Sequence, residues 1–147
     1  MDRVELSIKL ENHIHWLNKD CDGWENMKAD LSNADLYCTN LGYANLSGAN
    51  LKGVDLGYTN LSGANLKGTD LSNADLSEAN LIGANLSDAN LSGANLNGAD
   101  LSEANLIGAN LSDANLNHAN LSGVDMSCAN LSNVNLSDVN LSGAILN

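Results

Sequence analysis

Three histidines, three cysteines and a set of regularly spaced aspartates are the side chains in this 147-residue chain with chemistry to offer. His13, His15 and Cys21 lie close together and carry atoms that can ligate a metal. Their spacing matches no ligand motif, and residues two apart on a helix face away from each other. Packed or solvated roles are therefore expected for them, and no resident metal. Asp35, Asp55 and Asp75 stand at intervals of twenty. If twenty residues made one turn of a coil, their carboxylates would stack about 4.8 Å apart and could attract a cation such as calcium. Asn replaces Asp at 95, 115 and 135, however, so a solvated polar column is the expected reading. His118, Cys38 and Cys128 have no partner at fixed spacing, and the glycines recur singly rather than as a phosphate-cradling loop. With no nucleophile–base pair in view, neither catalysis nor a cofactor is expected.

What would position these groups is a repeat. From Leu31 to Leu146 every fifth residue is Leu, with Met126 the one exception. Two residues before each sits a small side chain, mostly Ala, with Thr39, Thr59, Thr69, Val54, Val124, Val134 and Val139 as variants. The residue between is Asn or Asp at every copy until Ile145. A period of five suits neither regular structure. On a helix, successive leucines would step round by about 140° and form no stripe. On a continuous strand, alternate leucines would face solvent. The chain must turn once per repeat, with Ala and Leu sharing the inward face of a short extended segment and the following pair making the corner.

This A(D/N)LXX pattern resembles the pentapeptide-repeat family, over residues 29–147. The resemblance implies an all-β solenoid, a right-handed quadrilateral β-helix with four pentapeptides per coil and residue n stacked under n + 20. Six coils follow, in a rod about 29 Å long at the usual strand spacing. Four leucines per layer then fill the axis, each worth roughly 1.5–3 kcal/mol on burial.

Residues 1–28 do not repeat and are read as an N-terminal cap, the first of two parts of the chain. Asp2 to Glu5 has capping-box spacing, and Leu6, Leu10, His13 or Ile14, and Leu17 recur at helical intervals, which predicts a helix over 3–18; Val4, Leu6, Ile8 and Leu10 also alternate as a strand would, but length and the later Ile14 and Leu17 favour the helix. Its apolar face is expected to cover the open strand edges of the first coil. Tyr37, Tyr43 and Tyr58 are the only aromatics in the repeats and fall in the first two coils. They are expected to pack against that helix or, with Asp35, Asp55 and Asp75, to form a partner surface. At the other end Leu136, Val139, Leu141, Ile145 and Leu146 form an uncovered coil face, expected to pair two-fold with a second copy.

The formal charge of −12 disfavours direct contact with a nucleic acid backbone. Cysteines too few for a disulfide framework, no apolar leader and no long apolar run predict a cytoplasmic protein that meets no membrane. The expected role is a non-enzymatic scaffold with an unidentified protein partner. The resemblance also extends to the quinolone-resistance branch of the family, which implies the alternative of a DNA mimic binding gyrase or another type II topoisomerase. Finally, LSEANLIGANLSDANL occurs at 76–91 and again at 101–116. An offset of twenty-five puts the second copy one coil up and one face round, so the duplication marks interchangeable repeats rather than a doubled site.

Overall fold

The computed structural model describes residues 1–147. Helix α1, Arg3–Asn18, begins at Asp2, whose carboxylate accepts the Glu5 N–H at 2.8 Å and satisfies one of the donors a helix start leaves open. It ends at Lys19, which takes a left-handed conformation (φ 55°) and returns its N–H to the His15 carbonyl. A single 3₁₀ turn, Trp24–Asn26, follows.

From Asp30 onward the backbone winds. Parallel bridges join residue n to n + 20, at nineteen of the twenty Asn/Asp positions from Asp30 to Asp125. Below the last layer each pentapeptide except the one at Leu116 makes three backbone bonds to the layer above. Around Leu71 these are Leu71 N–H to Asn90 O at 2.7 Å, Asn73 N–H to Ser92 O at 2.9 Å, and Asn90 N–H back to Thr69 O at 2.9 Å. At about 0.5–1.5 kcal/mol net apiece, such bonds tie the layers together on all four faces, and on three of the four at the last layer.

The corner is a four-residue turn, closed between the Ala N–H and the preceding Leu carbonyl, as from Ala74 to Leu71 at 3.0 Å. Its third residue has positive φ throughout, from Asn33 to Gly143, except at Asp138. A second clamp comes from the Asn/Asp between Ala and Leu: its Oδ1 accepts the N–H two residues on, as Asp75 does from Ser77 at 2.9 Å. Asn adds a third bond by donating Nδ2 to the same position one layer below, as Asn50 does to Asp30 at 2.9 Å. The outward position is thus a hydrogen-bonded ladder, which accounts for its restriction to Asn and Asp.

Inside, one continuous core of Leu, Ala and occasional Val runs from Ala29 to Met126. Leu46 through Leu121 are essentially inaccessible. Thr59 and Thr69 replace Ala at no polar cost, since their hydroxyls donate to the carbonyls of Leu36 and Leu66. Valine at the small position stretches the corner. The turn bond is 2.9–3.1 Å at every alanine, 3.2 Å at Val54 and Val134, 3.3 Å at Val124, and absent at Val139. The Val139 corner is also where Asp138 departs from positive φ and where Asn115 has no bridge to Asn135. In the last layer Leu131, Leu136 and Leu141 are half-buried, and Ile145 and Leu146 are 46% and 48% exposed.

Candidate functional site

The N-terminal segment meets the first coil through His13. This side chain is fully buried, its Nδ1 accepts the Ala29 N–H at 3.1 Å, and its ring stacks on Trp16 at 5.2 Å between centroids. Accepting at Nδ1 requires an unprotonated nitrogen there, so the neutral ring carries its proton on Nε2, the one buried side-chain nitrogen or oxygen left without a hydrogen-bond partner. Burial pushes the imidazole below its ordinary value; the Ser47 and Leu46 carbonyls oppose the shift, and nearby Lys28 adds to it. Trp16 in turn lies against Gly48, where an added Cβ would come within 3.1 Å of the indole. Gly48 also has φ +71°, so this close approach suits glycine on both counts.

Along one side α1 stands off from the coil and leaves a groove of about 660 Å³, lined by Asp2, Arg3, Leu6, Leu10, Leu36 and Tyr37, among others. Tyr37 lies over Gly57 and meets Tyr58 edge to face at 5.6 Å between centroids. The two rings are 52% and 57% exposed. Partial desolvation raises the Tyr37 phenol above its usual value. Tyr43 is not part of this pair; it covers Gly63 on the neighbouring face and is 83% exposed. Tyr43 and Tyr58 both occupy left-handed corner positions, with φ 59° and 55°. A bulky L-residue there costs on the order of 1–2 kcal/mol. Tyr37 borders the groove beside α1, while Tyr43 and Tyr58 point outward at a conformational cost.

Asp35, Asp55 and Asp75 form one vertical run, bridged layer to layer. Each accepts the N–H two residues on, from Tyr37, Gly57 and Ser77. None can donate to the next, and the run ends where Asn95 donates to Asp75 at 3.1 Å. No other column sets two aspartates in consecutive layers. On other faces, hydrogen bonds from Ser32 and Ser127 hold Asp30 and Asp125 below the usual carboxylate range.

The expectation that His13 and His15 face apart holds: one is buried and the other exposed. Sequence reasoning missed what His15 meets instead. Its Nδ1 lies 2.7 Å from Asp20 Oδ1, and this hydrogen bond is the main reason the Asp20 carboxyl sits below its ordinary value. His118 and the thiols of Cys38 and Cys128 are exposed and stand apart from that group.

The family model for pentapeptide repeats matches eight copies, spanning residues 28–53, 49–88, 59–98, 84–123 and 109–147. The chain belongs to the pentapeptide-repeat family. A pentapeptide-repeat protein from the thylakoid lumen of Arabidopsis thaliana is 33% identical over 65% of this chain and 66% of its own, with a TM-score of 0.64. The pentapeptide-repeat protein Rfr23 from the cyanobacterium Cyanothece 51142 is 41% identical over 63% of this chain and 64% of its own, with a TM-score of 0.62. The chain thus spans just under two thirds of each of these relatives. QnrB1, a plasmid-mediated fluoroquinolone resistance protein, is 22% identical over 84% of this chain and 70% of its own, with a TM-score of 0.51, a likeness of fold alone. No curated protein matches. Like its relatives, this pentapeptide-repeat chain is a right-handed β-helix solenoid, and none of its helices is long and apolar enough to cross a membrane.

Proposed function

We propose that this chain is a non-enzymatic interaction scaffold, a six-coil acidic rod closed at one end by α1, which pairs with a second copy through its last coil. The observation that carries the proposal is the apolar residue at the ladder position of the last repeat. Ile145 stands outward where every other repeat has Asn or Asp, beside exposed Leu146 and half-buried Leu136, Val139 and Leu141. The N–H groups of Leu131, Leu136 and Leu141, which lower layers use to bind the next, have no backbone partner. A two-fold contact buries this face in a closed pair, whereas head-to-tail stacking would grow fibres. A protein partner reads the outer wall at Tyr37, Tyr58 and the Asp35–Asp55–Asp75 run, with Tyr43 on the adjoining face. Free thiols at Cys21, Cys38 and Cys128 fit a reducing, cytoplasmic setting.

Light scattering at micromolar concentration tests the pairing: the wild type is expected at dimer mass and Ile145→Asp at monomer mass. A wild-type monomer overturns the dimer.

A second reading is favoured by the unneutralised run of three aspartates on a rod of net charge −12: a DNA mimic that occupies the DNA site of gyrase or a related topoisomerase. Likeness of fold to QnrB1 makes it worth separating from the first. Purified protein in a gyrase supercoiling assay, with and without a fluoroquinolone, does so. Inhibition or protection that is lost when Asp35, Asp55 and Asp75 are changed to Asn selects the mimic; an unaffected gyrase rejects it.

A further inference from the structure

Two left-handed residues fold the segment after α1 back on itself. At Lys19 the chain reverses and brings Asp20 to His15, with Nδ1 and Oδ1 2.7 Å apart. At Gly23 (φ 80°) it reverses again into the 3₁₀ turn, which returns Met27 to Cys21. There Cys21 Sγ and Met27 Sδ are 3.7 Å apart. The ligating atoms of His15, Asp20 and Cys21 all lie within 4.8 Å of one another. An imidazole, a carboxylate, a thiol and a thioether thus meet at one corner outside the leucine core. A shallow depression of about 380 Å³, lined by Lys19 to Glu25, opens beside them.

This set has the composition and dimensions of a metal site. Two sulfurs on adjacent vertices of a tetrahedron with metal–sulfur bonds of about 2.3 Å lie about 3.8 Å apart, close to the observed separation. The His15–Asp20 distance is that of a hydrogen bond; a cation replacing the shared proton would open it by several tenths of an ångström, within the freedom of two half-exposed side chains. Carboxylate and thiolate together supply two negative charges, enough to neutralise a divalent ion. The two neighbouring lysines are engaged elsewhere, Lys19 over the Trp24 ring and Lys28 over Trp16.

We propose that this corner binds one thiophilic d10 cation: zinc(II) through His15, Asp20 and Cys21, or copper(I) through His15, Cys21 and Met27. The two differ at one ligand, because zinc accepts carboxylate oxygen whereas the thioether selects copper(I). Binding locks the 3₁₀ turn to the end of α1.

The full-length reduced protein tests this in two arms. Cobalt(II), which takes zinc's ligands, is titrated while the sulfur-to-cobalt charge-transfer absorption is followed; copper(I) is titrated anaerobically against a colorimetric chelator. One equivalent is expected to bind in at least one arm. Cys21→Ser should remove the charge-transfer band and weaken binding roughly tenfold or more, whereas Cys38→Ser and Cys128→Ser should change neither. Asp20→Asn is expected to weaken only the cobalt arm and Met27→Leu only the copper arm. A readout on the unmutated chain guards against misfolded variants: the bound ion should slow alkylation of Cys21 while Cys38 and Cys128 react at their former rates. Failure of both ions to bind at micromolar protein overturns the site. So does binding that survives Cys21→Ser, which would place the ion on the acidic wall, or alkylation of Cys21 unaffected by metal.

Discussion

Asn and Asp are nearly the same size, and the fold uses them for the same turn, but only Asn can reach down to the layer beneath. Asn60 donates to Asn40 at 3.1 Å and Asn120 to Asp100 at 3.0 Å. Asp55 and Asp75 can do no such thing, and each sets a carboxylate over another carboxylate. Asp55→Asn should therefore stabilise the protein: its Oδ1 still accepts the Gly57 N–H, and a new Nδ2 donates to Asp35. The gain expected is about 0.5–1.5 kcal/mol, read as a higher midpoint in urea melts; an unchanged or lower midpoint would contradict the ladder. Because the change strengthens the fold, any loss of partner binding it causes cannot be assigned to unfolding. The run of three aspartates thus forgoes stability at the place where the charge is proposed to be read.

Between α1 and the coil the hinge of stability is a single imidazole. His13 is buried with its Nδ1 accepting the Ala29 N–H, and its folded-state value lies below the ordinary 6.5. The neutral ring is favoured by folding, so the unfolded chain binds the extra proton first as pH falls. The stability His13 contributes is complete above about pH 6.5 and is lost as pH drops from there toward the lowered folded-state value. The slope cannot exceed about 1.4 kcal/mol per pH unit for one proton. Thermal melts of the helical signal at a series of pH values should show this loss, and His13→Gln should flatten it; a slope that persists in that variant would exclude His13 as its source. Much of this element was legible in advance. The capping box at Asp2 and the apolar spacing to Leu17 mark α1, and the period of five dictates both the turn and the twenty-residue stacking. The gathering of His15, Asp20, Cys21 and Met27 was not legible, because it depends on left-handed backbone at Lys19 and Gly23, and lysine gives no sign of adopting it. Tyr43 is a similar case: its lodging on Gly63 becomes visible only once the layers are stacked.

Across the whole molecule, the inner shell and the Asn/Asp ladder are uniform, and the two positions after each Leu are free. Any shift by five residues leaves Ala and Leu facing inward, which is why a sixteen-residue copy can recur out of face register without harm, and why the repeats reveal the architecture while leaving the partner open. The departures from uniformity lie at the two ends, where His13 and Trp16 dock one side and Ile145 marks the other. The layer bonds carry one more consequence, for chemical ageing. Asparagine deamidates when the next residue's backbone nitrogen attacks its side-chain carbonyl, and a chain so rich in asparagine should be vulnerable. From the first repeat to Leu111 that nitrogen is already committed: Leu51, following Asn50, donates to Asp70 O at 2.8 Å, and Leu91, following Asn90, to Asn110 O at 2.7 Å. Within a single copy the nitrogens of Leu116, His118, Leu131, Leu136 and Leu141 have no backbone partner. Peptide mapping of stored Ile145→Asp, in which the proposed pairing is lost, should find isoaspartate first at Asn115, Asn117, Asn130, Asn135 and Asn140; uniform conversion along the rod would rule this out. Each conversion adds a carboxylate to the wall of the last two layers, so an unpaired rod would loosen there first with age.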